Sequence, residues 1–534
     1  MSVFIYHLYR SRIVMGISME KEKSGLKSSF SISFVVLLGK ILGFIKQAVI
    51  AWAFGANTTT DIFFAANGFT YMFAQIMGQS VSPTVLTGYV ELDEKGKKKQ
   101  ATDLIRQSFF FFGLVGLCLI VVIILFSPLI CELFGVNYTM EQKKEFRFFL
   151  IALCPEVLFT SLSGVAQGYL DGHKRFLPGK LCSLFFSLSI IISVIALRKV
   201  IGVQSYMYGL ILGFALHTVY MLALTVTKTG ISFGNPFKNN EFRQLIKRFG
   251  PLVVGNSIVD LGLLIDRIIA SSLVAGSVSA LYYGQVISSD IVNAVIITSI
   301  GTVLLTDLTK KVYSHIDKIE ISNQLQRTIC TMTLITGFIS SLYIVEGYDL
   351  VKLFFERGSF EAYNTVIVSS IASFYGIGFI FMANREVFVK AHYAFQDTKT
   401  PMINSIIGVV VNLIGSILLS KIMGVSGVAF ATSLSMMVVS ALSMLTIKKH
   451  IGRFPMNRKS MLDVIKILLG NAIVIGVGTL LRNMTTDWHL LIRMVVVSAI
   501  MGIVYLITII LLKEMIITTA IIPAIKKRFT DRRK

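Results

Sequence analysis

Apolar runs of about 20 residues, the length that carries a helix through a bilayer, recur along almost the entire chain. They lie near 31–53, 60–88, 104–131, 146–170, 178–198, 204–227, 247–275, 278–305, 325–346, 364–392, 402–421, 425–448, 462–482 and 490–512. The fold class that follows is an all-α polytopic membrane protein with about fourteen transmembrane helices. Composition agrees: 54% hydrophobic residues against 15% charged, with a mean hydropathy of +0.74, leaves too little polar surface for a soluble chain. The second, seventh, eighth and tenth runs are long enough that they must tilt, bend or project beyond the lipid.

The formal charge of +22 would suggest nucleic acid in a soluble protein. Here most Lys and Arg fall in short links between the runs, as the orientation of membrane helices requires, and no nucleic-acid partner is implied. Alternate links hold Lys95, Lys97, Lys98 and Lys99; Lys174 and Arg175; Lys228, Lys238 and Arg243; Lys310, Lys311 and Lys318; Lys399; and Lys448, Lys449, Arg453, Arg458 and Lys459. The opposite links around "GANTT" and "AGS" hold none, although Arg198, Lys199 and Lys352 are exceptions. Both termini are therefore expected in the cytoplasm, and the tail "KKRFTDRRK" suits anionic inner-leaflet lipid. No signal peptide is legible at the N-terminus. Residues 1–30 read either as a disordered or interfacial cytoplasmic tail or, in part, as a stretch upstream of a start at Met19. The five cysteines, Cys118, Cys131, Cys154, Cys182 and Cys330, sit in or beside apolar runs without metal spacing and read as packing residues.

Laid on itself at an offset of 219 residues, the chain shows a repeat. "GFIKQAVIAWAFGANTTTDIFF" from Gly43 faces "GLLIDRIIASSLVAGSVSALYY" from Gly262, and a weaker echo aligns Pro178 with Pro401. Chance likeness between apolar segments is the competing reading. An offset of six helices places the two copies the same way up, as parallel repeats. The expected domains are a tail at 1–30, two six-helix lobes at 31–228 and 245–448, a two-helix appendage at 460–512 and a basic tail at 513–534.

Charges inside the runs are the candidate functional residues, since a charge at mid-depth costs roughly 2.5–3.5 kcal/mol unless it faces a water-filled cavity. Lys40, Gly43, Lys46 and Gln47 share a stripe about 120° wide on the first helix, leaving Leu38, Ile41, Ile45 and Val49 for lipid or protein. Gly39 and Gly43 allow a neighbouring helix to approach closely. Lys40 lies roughly 13 Å of helix rise from its nearer end, beyond easy snorkelling, whereas Lys46 is closer to the far end. The seventh run carries Asp260, Asp266 and Arg267, and the tenth Arg385, Glu386 and Lys390, of which Glu386 and Lys390 are spaced to pair along one face. Lys40, Lys46 and Arg267 are candidates for binding an anion; Asp61, after "NTTT", reads equally as a helix cap or a gate.

No catalytic constellation is legible. The seven histidines are scattered without metal-ligand spacing, and no phosphate-cradling glycine loop is present. A transporter, not an enzyme, is expected, without cofactor or metal. Its energy would come from an ion gradient, the membrane potential or the substrate's own gradient.

Several segments together resemble the MurJ/MviN family of lipid-linked precursor flippases, within the superfamily of multidrug and polysaccharide exporters. They are "GKILGFIKQAVIAWAFGANTTTDIFFAAN", "GPLVVGNSIVDLGLLIDRIIASSLVAGSVSALYYG", "LFFERGSF", "HYAFQDTKTP" and "GVSGVAFATSL". The resemblance implies alternating access in the bacterial cytoplasmic membrane, with a cationic cavity accepting the pyrophosphate and sugars of an undecaprenyl-linked precursor and the last two helices forming a groove for its lipid tail. It also implies cell-envelope synthesis proteins as partners. The substrate-binding set is Lys40, Lys46, Gln47, Asp61, Asp266, Arg267, Gln285 and Arg385. Where this chain has Lys40 and Lys46 the family tends to have arginine, so charge is kept but bidentate phosphate geometry is not. "YYGQV" replaces the family's "YYADR" and puts Gln285 and Val286 at its acidic and basic positions; "NGFTYMFAQIMGQS" lacks its second-helix arginine. These departures leave open a capsule, exopolysaccharide or teichoic precursor in place of lipid II. An ion-coupled exporter of small amphipathic cations is a further alternative, which would want net acidic residues in the cavity where the first helix offers more basic than acidic candidates; a membrane enzyme or structural partner would want an acid–base pair in a loop, and none is legible.

Overall fold

The computed structural model describes residues 34–230, 240–314, 316–452 and 455–511. The two tails, Met19 and the terminal basic cluster, and Lys238 and Arg453, lie outside the described residues. Within them the chain is helical throughout, with no strand. In order the helices are α1 (Phe34–Phe54), α2 (Thr58–Glu94), α3 (Lys98–Phe134), α4 (Met140–Leu153), α5 (Pro155–Gly172), α6 (Leu177–Lys180), α7 (Cys182–Ile201), α8 (Gln204–Thr229), α9 (Asn240–Ser271) and α10 (Ser277–Gln285). Two π-helical turns, Val286–Asp290 and Asn293–Ile297, lead into α11 (Thr298–Tyr313). There follow α12 (Lys318–Phe355), α13 (Ala362–Ala394), α14 (Lys399–Met423), α15 (Val425–Thr446), α16 (Lys448–Ile451), α17 (Arg458–Met484) and α18 (Leu490–Leu511).

Every apolar run is occupied by helix, and twelve of these spans are long and apolar enough to cross a membrane. The second and seventh runs are helices of 37 and 32 residues, α2 and α9, but stand outside that dozen. Their polar content explains it: α9 alone carries Arg243, Lys247, Arg248, Asp260, Asp266 and Arg267. Large side chains such as Leu125, Leu129, Ile192, Val200 and Ile422 remain exposed, which suits contact with acyl chains and not with water. All five cysteines are free thiols, three of them buried.

The chain packs as two compact units. The first comprises residues up to Ile50, Phe73–Ser127 and Phe148–Val254. Here small residues let helices touch at backbone distance, the device by which membrane helices associate without a hydrophobic drive. A Cβ on Gly39 would fall 2.2 Å from the Ser183 hydroxyl of α7, and the Cβ of Gly43 would meet Ser187 at 4.0 Å, so α1 docks on α7 through this glycine pair. Gly168 of α5 similarly faces the carbonyl of Ser82 on α2, where a Cβ would stand 2.7 Å away. At the end of α2, Glu91 accepts from Lys95 at 2.7 Å and from Arg248 of α9 at 2.6 Å. These two donors pull its carboxyl down to about 2.

The second unit comprises Ala51–Met72, Pro128–Arg147 and Gly255 onward. Its body is α12, α13, α14 and α15, with α17 and α18 held against α12 by a core of Val345, Ile467, Val474, Val497, Met501, Tyr505 and Ile509. Buried polar groups fix that attachment. Asp349 is fully buried and accepts from Arg493 at 2.7 Å and Arg482 at 3.3 Å, while Ser498 donates to Glu346 at 2.6 Å. Removing one partner of such a buried pair typically costs about 3–5 kcal/mol.

Candidate functional site

The turn between α1 and α2 shows how the first repeat copy is built. Gly55 takes a positive φ of 64°, and Asn57 and Thr60 then cap α2 reciprocally, Thr60 N–H donating to Asn57 Oδ1 at 3.1 Å and Asn57 N–H to Thr60 Oγ1 at 2.8 Å. Asp61 is thus released from capping its own helix and caps α10. Its carboxylate accepts from Gly276 N–H at 2.7 Å, Ser279 N–H at 2.7 Å and the Ser279 hydroxyl at 2.6 Å. These are donors that a helix start leaves unsatisfied. Gly276 itself has φ of +90°, so the second copy turns on a left-handed glycine as the first does.

Here the two copies of the repeat meet. The Ser279 hydroxyl, its proton given to Asp61, lies 2.8 Å from Thr60 Oγ1, and these residues are equivalents under the 219-residue offset. Phe64 stacks on Tyr282 with centroids 4.2 Å apart and meets its own equivalent, Tyr283, edge-on at 5.7 Å.

On α1, in the first unit, Gln47 is buried, Lys46 half-buried and Lys40 exposed. Leu38, Ile41 and Ile45 are exposed on the apolar face. Lys46 makes no ion pair or hydrogen bond with another described residue.

The second unit holds a cavity of about 260 Å³ between α9, α10, the π turns, α13, α14 and α15. Asp266, Gln285 and Arg385 all line it. Gln285 donates to Asp290 Oδ1 at 3.3 Å, and Arg385 to the Ser405 hydroxyl at 3.3 Å. Lys390 pairs with Glu386 at 3.0 Å, as their spacing on α13 suggested. Arg267, next to Asp266 in sequence, points elsewhere: its Nη1 occupies the space over Gly68 of α2, 1.8 Å from where a Cβ would stand. Tyr71, Tyr282, Tyr375 and Asp290 are its neighbours.

Asp266 sits in an oxygen-rich nest. The Ser416 hydroxyl donates to its Oδ1 at 3.2 Å and the Thr432 hydroxyl to its Oδ2 at 2.8 Å. Asn412 donates to Thr432 at 3.0 Å, leaving its own buried Oδ1 without a hydrogen bond. A buried carboxylate, two hydroxyls and an unpaired amide oxygen form a donor set that suits a hard cation.

Sequence reasoning missed several of these groups. Asp290, a carboxylate within the eighth run, was open to the same argument that singled out Lys40; Asn412, Ser416 and Thr432 are neutral and carried no such signal. The sequence-predicted residues do not form one cluster: Asp266, Gln285 and Arg385 share the cavity, Arg267 faces α2, Asp61 holds a helix start, and Lys40, Lys46 and Gln47 lie on α1 of the first unit.

Comparison with known proteins adds the following. A family model described as "Lipid II flippase MurJ" matches residues 50–514. A protein of Buchnera aphidicola subsp. Acyrthosiphon pisum (strain APS), "Probable lipid II flippase MurJ", is 23% identical over 500 residues, covering 90% of this chain and 96% of its own. One of Rhizobium tropici, named likewise, is 25% identical over 426 residues, covering 77% and 78%. The solved "Lipid II flippase MurJ, inward closed conformation" superposes with a TM-score of 0.76 at 23% identity, covering 90% of this chain and 98% of that one. An inward-facing multidrug resistance MATE family transporter of the MOP superfamily follows, with a TM-score of 0.65 at 13% identity, covering 77% and 94%. At these identities the structural likeness speaks for the fold.

Proposed function

The chain belongs to the lipid II flippase MurJ family, and from that premise we propose that it moves a polyprenyl-diphosphate-linked saccharide precursor, lipid II for peptidoglycan, across the bacterial cytoplasmic membrane by alternating access. It is a multi-pass transporter, with both termini on the cytoplasmic side by the distribution of its basic links. The observation that carries the reading is Lys46, a half-buried cation on a membrane helix with no ion pair to another described residue. Such a charge, with no counter-ion among the described residues, suits an anionic cargo, and a diphosphate supplies one.

The cavity of the second unit is lined by the Asp266 carboxylate and neutral oxygen donors, and its chemistry serves the energy source. Asp266, Ser416, Thr432 and the unpaired Asn412 Oδ1 seat a monovalent cation, Na⁺ in this reading, whose gradient drives the cycle. Each charge moved through the membrane potential contributes about 2.3 kcal/mol per 100 mV. A second reading, another polyprenyl-linked saccharide such as a capsule or teichoic precursor, is favoured by Gln285 and Val286 at the positions where the family carries an acid and a base.

Purified protein in liposomes should translocate labelled polyprenyl-diphosphate saccharides and ignore cationic dyes. Movement of the dyes alone would overturn the reading, and the saccharide preferred among several would decide between lipid II and the alternatives.

A further inference from the structure

Where α13 gives way to α14, the segment "HYAFQDTKTP" folds back on the short helix α16. Three ligand-type side chains converge there, two from this segment and one from α16 some fifty residues on. His450 Nε2 lies 2.8 Å from Asp397 Oδ2, and His392 Nδ1 lies 3.4 Å from the same oxygen. The three atoms fall within 4.8 Å of one another.

Each ligand is held in place from behind. His392 is fully buried and its Nε2 is fixed by the Thr446 hydroxyl at 3.2 Å, while its Nδ1 has no hydrogen bond: the 3.4 Å approach to Asp397 is not aligned for one. Asp397 Oδ1 accepts from Thr400 N–H at 3.0 Å and Oδ2 from the Thr400 hydroxyl at 2.7 Å. The His450 ring stacks on Phe395, centroids 5.0 Å apart and planes within 7°. Lys449 approaches to 4.0 Å, yet its side chain is 71% exposed and free to swing into water.

We infer that His392 Nδ1, Asp397 Oδ2 and His450 Nε2 form a binding site for a transition-metal ion, Zn²⁺ above all, that pins α16 to the α13–α14 link. Tetrahedral ligands at 2.0–2.1 Å from zinc stand roughly 3.3 Å apart, and the separations of 2.8 and 3.4 Å bracket that value. Two imidazoles and one carboxylate select zinc over magnesium or calcium. A threonine behind His392 and another behind Asp397 are the outer partners that orient metal ligands. Three protein ligands leave the fourth position to water.

The test uses the full-length chain in detergent, purified through a tag without histidine and stripped with chelator. Zn²⁺ is titrated by calorimetry, and Co²⁺ is added as a spectroscopic probe. One ion per chain is expected, with the intense visible bands of tetrahedral Co²⁺. His450 is partly exposed and can be removed without opening the core, so His450→Ala should keep the fold and weaken Zn²⁺ binding by about 100-fold or more; Thr446→Val should weaken it by about 10-fold or more by releasing the His392 ring. Equal Zn²⁺ affinity in the wild type and His450→Ala, no binding by the wild type, or octahedral Co²⁺ spectra would each overturn the site.

Discussion

Lys46 is the side chain on which the transport reading turns, and its chemistry makes the expected outcome asymmetric. Lys46→Ala should abolish complementation of a flippase-deficient strain while leaving membrane insertion intact, whereas Lys46→Arg, which keeps the charge and adds a bidentate fork, should be tolerated; normal growth with the Ala variant would remove Lys46 from the site. Gly68→Ala tests Arg267 without touching it. The new Cβ would displace the guanidinium, whose rotamer can adapt for about 0.5–1.5 kcal/mol, so thermal stability should stay near wild type while transport in liposomes falls. Unimpaired transport would show that Arg267 does not act from its place over Gly68. At this scale the sequence was informative where a charge stood among apolar neighbours, as with Lys46 and Asp266. It was silent where neutral groups acquire meaning only by convergence, as Asn412 and Thr432 do around Asp266 and as Thr446 does behind His392.

Helix boundaries follow a different logic. Apolar length made every span legible, because lipid enforces it; the turns were legible only in part. Asp61 invited two readings, a cap or a gate, and the structure makes it the cap of a helix more than two hundred residues away, which no local pattern could announce. Asp61→Ala would strand two buried α10 N–H groups, each costing about 1–3 kcal/mol, and should lower the melting temperature by several degrees in detergent. Asp61→Asn keeps one acceptor oxygen and should lose less. If both variants melt like the wild type, α10 does not depend on this cap. The π turns that follow α10 were equally invisible to periodicity. They set Asp290 and Asn293 on the cavity wall, and single π turns commonly mark functional positions.

For the molecule as a whole the decisive question is what drives transport. Replacing external and internal Na⁺ with choline should slow saccharide translocation in liposomes made with the wild type. Asp266→Asn should transport slowly in either medium, its rate flat against Na⁺ concentration. A wild-type rate indifferent to Na⁺ would dismiss the cation seat while leaving the saccharide reading untouched. The internal repeat, read from two aligned segments that share Gly43 and Gly262, predicts that Thr60 and Ser279 are equivalents, and these two hydroxyls lie 2.8 Å apart.

That contact has a kinematic meaning. Two helix starts tied by a carboxylate and a pair of alcohols travel as one piece, so any displacement of α10 carries the start of α2 with it. In a cycle of opening and closing, this joint would move as a single body.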